Sequence, residues 1–234
     1  MPVYELGPEY LFPDAEEADP DGLLAIGGGL EPERLLLAYA TGIFPWYSEG
    51  QPILWHSPDP RMVLWPADLR ISKSLRRTLQ KGSYETRFDT AFDEVIERCA
   101  AVPRRGQRGT WIRPEMIEAY RSLHKRGVSH SVETWRAGRL VGGLYGVSLG
   151  GCFFGESMFS LERDASKVAL VALVRRLQAW NFDLIDCQIY TDHLARLGAV
   201  EMERGKFLQI LRTSLERETR AGIWHCDVSS TADP

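Results

Sequence analysis

The run LVGGLYGVSLGGCFFGESMFS, residues 140–160, decides how the rest of the chain is read. Its centre, Gly146-Val147-Ser148-Leu149-Gly150, spells the G-x-S-x-G string of a nucleophile elbow, which needs a strand leading into the serine and a helix leading out. The next residues are Gly151-Cys152-Phe153-Phe154, a turn and an aromatic strand, so no helix can start there. The segment reads instead as strand, Gly150-Gly151 turn and strand, the second over Cys152 to Ser160. Ser129 to Trp135 and the turn Arg136-Ala137-Gly138 supply a hairpin partner on the upstream side.

Outward from this antiparallel centre the periodicity turns helical. Ala165 to Trp180 is apolar nearly all round and predicts a buried helix, followed by an inner strand over Leu184 to Tyr190 and a last helix near Gly205 to Thr219. Upstream, helices are predicted over Pro32 to Thr41, from a Ser72 cap to Lys81, over Ala91 to Ala101, and between Pro114 and Gly127. Helices, antiparallel strands, helix, strand and helix in that order indicate an α+β, or mixed α/β, core. The first sixty residues read as a loop-heavy, acidic and aromatic unit with one helix.

The chain has 234 residues, 44% of them hydrophobic and 26% charged, enough for a sizeable core. Cys99, Cys152, Cys187 and Cys226 show no C-x-x-C spacing, which argues against a disulfide framework or thiolate zinc site and for a reducing, cytoplasmic setting. The start Met-Pro-Val-Tyr-Glu lacks a secretory pattern, and no run is long and apolar enough to predict a membrane span. His56, His124, His130, His193 and His225 show no metal-ligand spacing, so no metal is expected. Gly27-Gly28-Gly29 before the first helix lacks both dinucleotide and P-loop spacings and reads as a turn.

A net charge of −4 argues against a polyanionic partner, but the charge is unevenly spread. Residues 1–62 hold eleven acids against Arg34 and Arg61, whereas 70–126 holds fourteen bases against seven acids. Lys73, Arg76, Arg77 and Lys81 fall on one helix face with no interleaved acid. A solvated face is the ordinary reading of such a run. Mutual repulsion among four like charges favours a polyanion that neutralises them, and an RNA backbone is one.

Two further features point to chemistry. Asp186 and Gln188, two apart on the predicted inner strand, would emerge on one face, and a buried acid and amide need partners. Glu156 and Met158 pose the same choice in a segment otherwise made of Phe and Gly, where a buried carboxylate is costly unless it meets a cation or donors. On pattern alone a hydrogen-bonded core and an active-site pair are equally good readings.

Six strings in register, Phe44-Pro45-Trp46, Ser57-Pro58-Asp59-Pro60-Arg61, Gly109-Thr110-Trp111-Ile112, Gly155-Glu156-Ser157-Met158-Phe159-Ser160, Ala165-Ser166-Lys167 and Ile185-Asp186-Cys187-Gln188, resemble the bacterial leucyl/phenylalanyl-tRNA–protein transferases. The resemblance implies a small N-terminal domain, residues 1–62, and a catalytic domain of the GNAT-type N-acetyltransferase fold, residues 63–234. It implies transfer of Leu or Phe, less readily Met, from the 3′ end of aminoacyl-tRNA to proteins beginning with Arg or Lys, marking them for N-degron degradation. No cofactor and no membrane partner are implied, and a monomer is the default.

Carried onto matching positions, the resemblance makes Asp186 and Gln188 the catalytic pair, with Asp186 orienting the Gln188 amide toward the incoming amine. It places Trp46, Trp111, Leu144, Phe153, Glu156, Ser157, Met158, Leu173 and Leu177 around the aminoacyl pocket. Glu156 could take the donor's amino group or fix the terminal adenosine. Lys73, Arg76, Arg77 and Lys81 become phosphate contacts for the acceptor stem. The chain departs from the pattern at His56, where a second Trp is frequent, at Leu144, where Met occurs, and at Leu173 and Leu177, where bulkier aromatics occur, changes that retain or reduce the pocket's apolarity and alter its shape. A CoA-dependent acetyltransferase would need a Gln/Arg-x-x-Gly-x-Gly/Ala loop before the 165–180 helix, and Leu161-Glu162-Arg163-Asp164 lacks it. A tRNA-binding module without catalysis would have no use for Asp186 and Gln188.

Overall fold

A computed structural model describes residues 3–102 and 111–225. In chain order its elements are β1 (Tyr4–Leu6), β2 (Leu23–Gly27), α1 (Pro32–Ala40), β3 (Phe44–Pro45), β4 (Leu54–His56), β5 (Arg61–Leu64), α2 (Lys73–Gln80), β6 (Glu85–Phe88), α3 (Phe92–Ala101) and α4 (Pro114–Lys125). After these come β7 (Ser129–Arg136), β8 (Arg139–Leu149), β9 (Cys152–Ser160), α5 (Ala165–Ala179), β10 (Leu184–Gln188), α6 (Asp192–Arg196), β11 (Val200–Met202) and α7 (Arg204–Leu215). The architecture is mixed α/β.

The first strands form a four-stranded sheet in the order β1-β2-β4-β3, and the rest a seven-stranded sheet in the order β11-β5-β10-β9-β8-β7-β6. The region read from sequence as loops is thus a small sheet. Its strands of two to five residues, interrupted by Pro45 and Pro52, are too short to show alternation. Ser72 caps α2 by accepting from the Leu75 N–H at 3.2 Å, as its position in the sequence predicts.

In the large sheet alternation sorts side chains to two faces. Val63, Phe154 and Leu184 join Tyr39, Phe44, Tyr120 and Phe207 in one apolar cluster. Met62, Leu64, Phe153 and Ile185 join Leu170, Leu173 and Leu177 of α5 in the other. Leu24, Ala25 and Trp55 of the small sheet belong to the first cluster, so its core is continuous with that of the large sheet. Ser148, the elbow candidate, is fully buried in β8 opposite Phe153. Gly146 is there for packing: a Cβ would stand 2.2 Å from the Phe154 carbonyl oxygen.

β8 and β9 are antiparallel, but β9 and β10 run parallel and pair only from Leu184–Cys152 to Asp186–Phe154. Beyond that β9 continues along β8 while β10 ends at Gln188. The sheet parts at this point, and the residues just past it on both strands line a cavity.

Candidate active site

The cavity measures about 500 Å³, within the usual range for a small-molecule site. Leu144, Phe153, Met158, Leu170, Leu173 and Ile185 make it apolar, and Trp46 and Tyr190, 39% and 49% exposed, stand at its rim. An unbranched aliphatic or aromatic side chain suits such a lining, and the thioether of Met158 adapts to either. Of the residues singled out in the sequence, Trp46, Trp111, Leu144, Phe153, Glu156, Ser157, Met158, Leu173 and Gln188 all reach the cavity. Leu177 does not: it is fully buried one helical turn further along α5, within the core. His56 stands behind Trp46, edge-on to it at 5.6 Å.

Asp186 is also placed differently from expectation. Ile185 and Cys187 line the cavity, so Asp186 between them points to the opposite face. There its Oδ2 and Oδ1 accept from Arg61 Nη2 and Nε at 2.6 and 2.9 Å, and neither side chain has any solvent exposure. The Arg61 guanidinium lies over the rings of Phe44 and Phe207 and donates from Nη1 to the Gly42 carbonyl at 3.0 Å. Regular alternation would send Gln188 the same way as Asp186. The pairing register slips between them, and Gln188 takes a left-handed backbone at φ 64°, which turns its side chain into the cavity. Asp186 stabilises that bulge by accepting the Gln188 backbone N–H at 2.9 Å.

The Gln188 side chain is tied elsewhere. Its Nε2 donates to Glu156 Oε1 at 2.7 Å, which leaves the amide oxygen for a ligand. Glu156 is buried on β9 and also contacts the hydroxyls of Tyr39 and Tyr120, each 2.8 Å from a carboxyl oxygen. Burial pushes its carboxyl up to about 7, against the opposing pull of these hydrogen bonds. Sequence reasoning missed Tyr39 and Tyr120 because a tyrosine on an apolar helix face looks like core; a buried phenol's need for a partner is the one signal that could have found them. It also missed Leu170, Tyr190 and His193 as cavity residues. Burial together with Lys167 and Arg196 lowers the His193 pKa and keeps the ring neutral.

The basic stretch divides under the structure. Arg87, Arg98, Arg113, Arg121 and Arg126 are each paired with a glutamate or aspartate, Arg121 with Asp93, Glu97 and Glu118 together. Lys73, Arg76, Arg77 and Lys81 are exposed and make no ion pair with a described residue. α2 packs on α5, the helix that supplies Leu170 and Leu173 to the cavity. Arg104, Arg105, Arg108 and Cys226, like Gly109-Thr110 of the Trp111 string, lie outside the described residues. Among the described residues no group of three or more His, Cys, Asp or Glu could hold a metal, and no helix is long and apolar enough to cross a membrane.

Comparison with known proteins places this geometry. Residues 63–212 match the family described as leucyl/phenylalanyl-tRNA protein transferase, and residues 28–59 match the N-terminal domain of the same transferase. The chain is 58% identical to the leucyl/phenylalanyl-tRNA–protein transferase of Myxococcus xanthus (strain DK1622), over 100% of both chains. It is 55% identical to that of Desulforapulum autotrophicum, over 96% of this chain and 98% of that one. Among solved structures, a GCN5-related N-acetyltransferase from Kribbella flavida overlaps 72% of this chain and 60% of its own, at 11% identity and a TM-score of 0.35. On the strength of the sequence matches, the chain belongs to the leucyl/phenylalanyl-tRNA–protein transferase family.

Proposed function

We propose that this protein moves Leu or Phe, and less readily Met, from aminoacyl-tRNA to the α-amino group of proteins beginning with Arg or Lys, in the cytoplasm and as a monomer. Family membership supports the reaction class. The observation that carries the reading to residues is the cavity, mostly apolar, with Gln188 and Glu156 hydrogen-bonded to each other in its wall. An aminoacyl ester is already activated, so the protein's task is to hold the amine against the carbonyl rather than to generate a strong nucleophile. The amine nitrogen bonds to the ester carbon, the bond to the ribose 3′-oxygen breaks, and the nitrogen's proton ends on that oxygen.

Gln188 is suited to the positioning. Its free amide oxygen accepts an N–H of the attacking amine, while its Nε2 is fixed by Glu156. Asp186 acts one step back, as the positioning residue that links Arg61 to the Gln188 bulge. The apolar floor takes the Leu or Phe side chain, Trp46 and Tyr190 offer faces on which a terminal base stacks, and the exposed cations of α2 take backbone phosphates. In this division residues 1–62 build one cavity wall through Trp46, and 63–234 hold the reacting groups. The acids concentrated in 1–62 favour a cationic acceptor and the N-degron role that such an acceptor implies.

The test is transfer of radiolabelled Leu from Leu-tRNA to a peptide with N-terminal Arg. Label in the peptide supports the reading, and none from a folded preparation refutes it. A matched peptide with N-terminal Asp should stay unlabelled.

A further inference from the structure

We propose that in the free protein Glu156 is a neutral carboxylic acid that closes a ring of three hydrogen bonds with Tyr39 and Tyr120, and that this ring is the positioning device holding Gln188. The functional half rests on the reaction proposed above; the charge state does not.

The argument is a count of protons. Tyr39 Oη lies 2.8 Å from Glu156 Oε1, Tyr120 Oη lies 2.8 Å from Oε2, and the two hydroxyl oxygens are 2.5 Å apart. Each of these approaches is at hydrogen-bond distance and needs its own proton. The two phenols supply two. With Glu156 ionised, both phenol protons would go to the carboxylate and the hydroxyl oxygens would face each other with lone pairs only, in a buried site. The third proton therefore sits on Glu156.

Its position is fixed by Gln188. Oε1 already accepts from Gln188 Nε2 at 2.7 Å, so Oε1 is the carbonyl oxygen and Oε2 carries the hydrogen. The ring then runs one way: Oε2–H donates to Tyr120, Tyr120 donates to Tyr39, and Tyr39 donates back to Oε1. The groups facing Glu156 agree with a neutral ring. Burial, the largest cause, pushes both phenols well above their ordinary range, so each keeps its proton. Tyr145 on β8 lies near both, and Asp186, whose charge adds to the upward push on Glu156, is matched by Arg61.

The ring serves the reaction in two ways. Because Gln188 Nε2 is committed to Oε1, only its amide oxygen faces the ligand, and it accepts rather than donates. An uncharged wall also gives no electrostatic support to an ammonium, so the acceptor's amine binds as the free base that can attack.

Two measurements test this. Infrared difference spectra of the free enzyme, titrated through neutral pH, should show the C=O band of a protonated carboxyl that titrates near 7 and is missing in Glu156→Gln. Absence of that band from the wild type on the acid side overturns the proposal, whatever the activity. In steady-state transfer from Phe-tRNA to a peptide with N-terminal Arg, Tyr39→Phe and Tyr120→Phe should each lower kcat by about tenfold or more with KM unchanged, since each removes two of the three hydrogen bonds of the ring. The titration of the free acceptor amine in solution is common to both enzymes, so the ratio of wild-type to Glu156→Gln rate reports the titration of the ring and should fall as pH rises through neutrality. A ratio independent of pH, or tyrosine variants that alter KM alone, would overturn the positioning role. A wild type with the band but no transfer would refute the proposed reaction and leave the ring standing.

Discussion

Asp186→Asn separates a chemical role for this residue from a positioning one. The substitution keeps the shape and an oxygen for the Gln188 backbone N–H but removes the charge from a fully buried pair that meets Arg61 at 2.6 and 2.9 Å. The guanidinium cannot relax toward water, since it is enclosed by Phe44 and Phe207 and bonded to the Gly42 carbonyl. An uncompensated buried charge of this kind costs about 3–5 kcal/mol. For a chain of this size that is a fall in melting temperature of roughly 6–20 °C. Urea unfolding should show the loss, and kcat should fall with it as the Gln188 bulge loosens. Adding Arg61→Met, which removes the stranded charge, should recover stability but not kcat, because the side-chain tie from β5 to Asp186 behind the bulge is then gone. An Asp186→Asn variant as stable as the wild type and inactive would refute this reasoning and make Asp186 a participant in the chemistry.

The exposed cations of α2 make the opposite prediction: replacing Arg76 and Arg77 by Ala should leave the melting temperature unchanged, weaken tRNA binding, and lower the salt slope of the binding constant by about one for each phosphate no longer neutralised. Leu173→Ala deepens the cavity floor, and competition between Phe-tRNA and Leu-tRNA should shift toward Phe by roughly tenfold or more, the scale set by a few methylenes in an apolar pocket. Glu156 should make stability depend on pH with a defined sign. Its carboxyl ionises near 4.5 in the unfolded chain and near 7 when folded, so its contribution is complete below 4.5 and is lost as pH rises to about 7. A loss of about 3 kcal/mol over that interval, absent in Glu156→Gln, is the expected result of unfolding titrations.

The central hairpins were legible in the sequence because glycine turns separate runs long enough to show their period, and α5 because a helix apolar on every side has only one place to go. The small sheet was hidden by strands of two to five residues. Within the site, Glu156 and Gln188 stood out as polar groups in apolar strands. The partnership of Asp186 did not, since a period of two assumes an unbroken ladder and the slip after Asp186 reverses the face of everything beyond it. Arg61 was equally hidden: in the string Ser57-Pro58-Asp59-Pro60-Arg61 it looks like the polar end of a loop, and its burial depends on an aspartate 125 residues later.

That separation along the chain bears on how the protein is made. The hydroxyls that meet Glu156 come from residues 39 and 120, its amide partner is residue 188, and the clamp behind that amide joins residues 42, 61 and 186. A growing chain on the ribosome displays the cations of α2 long before β10 has left the exit tunnel. With the roles proposed above for α2 and Gln188, an unfinished copy can meet the charged tRNA that surrounds every ribosome, but it has no means of emptying one. The capacity to divert aminoacyl groups away from translation arrives only when the chain is nearly complete.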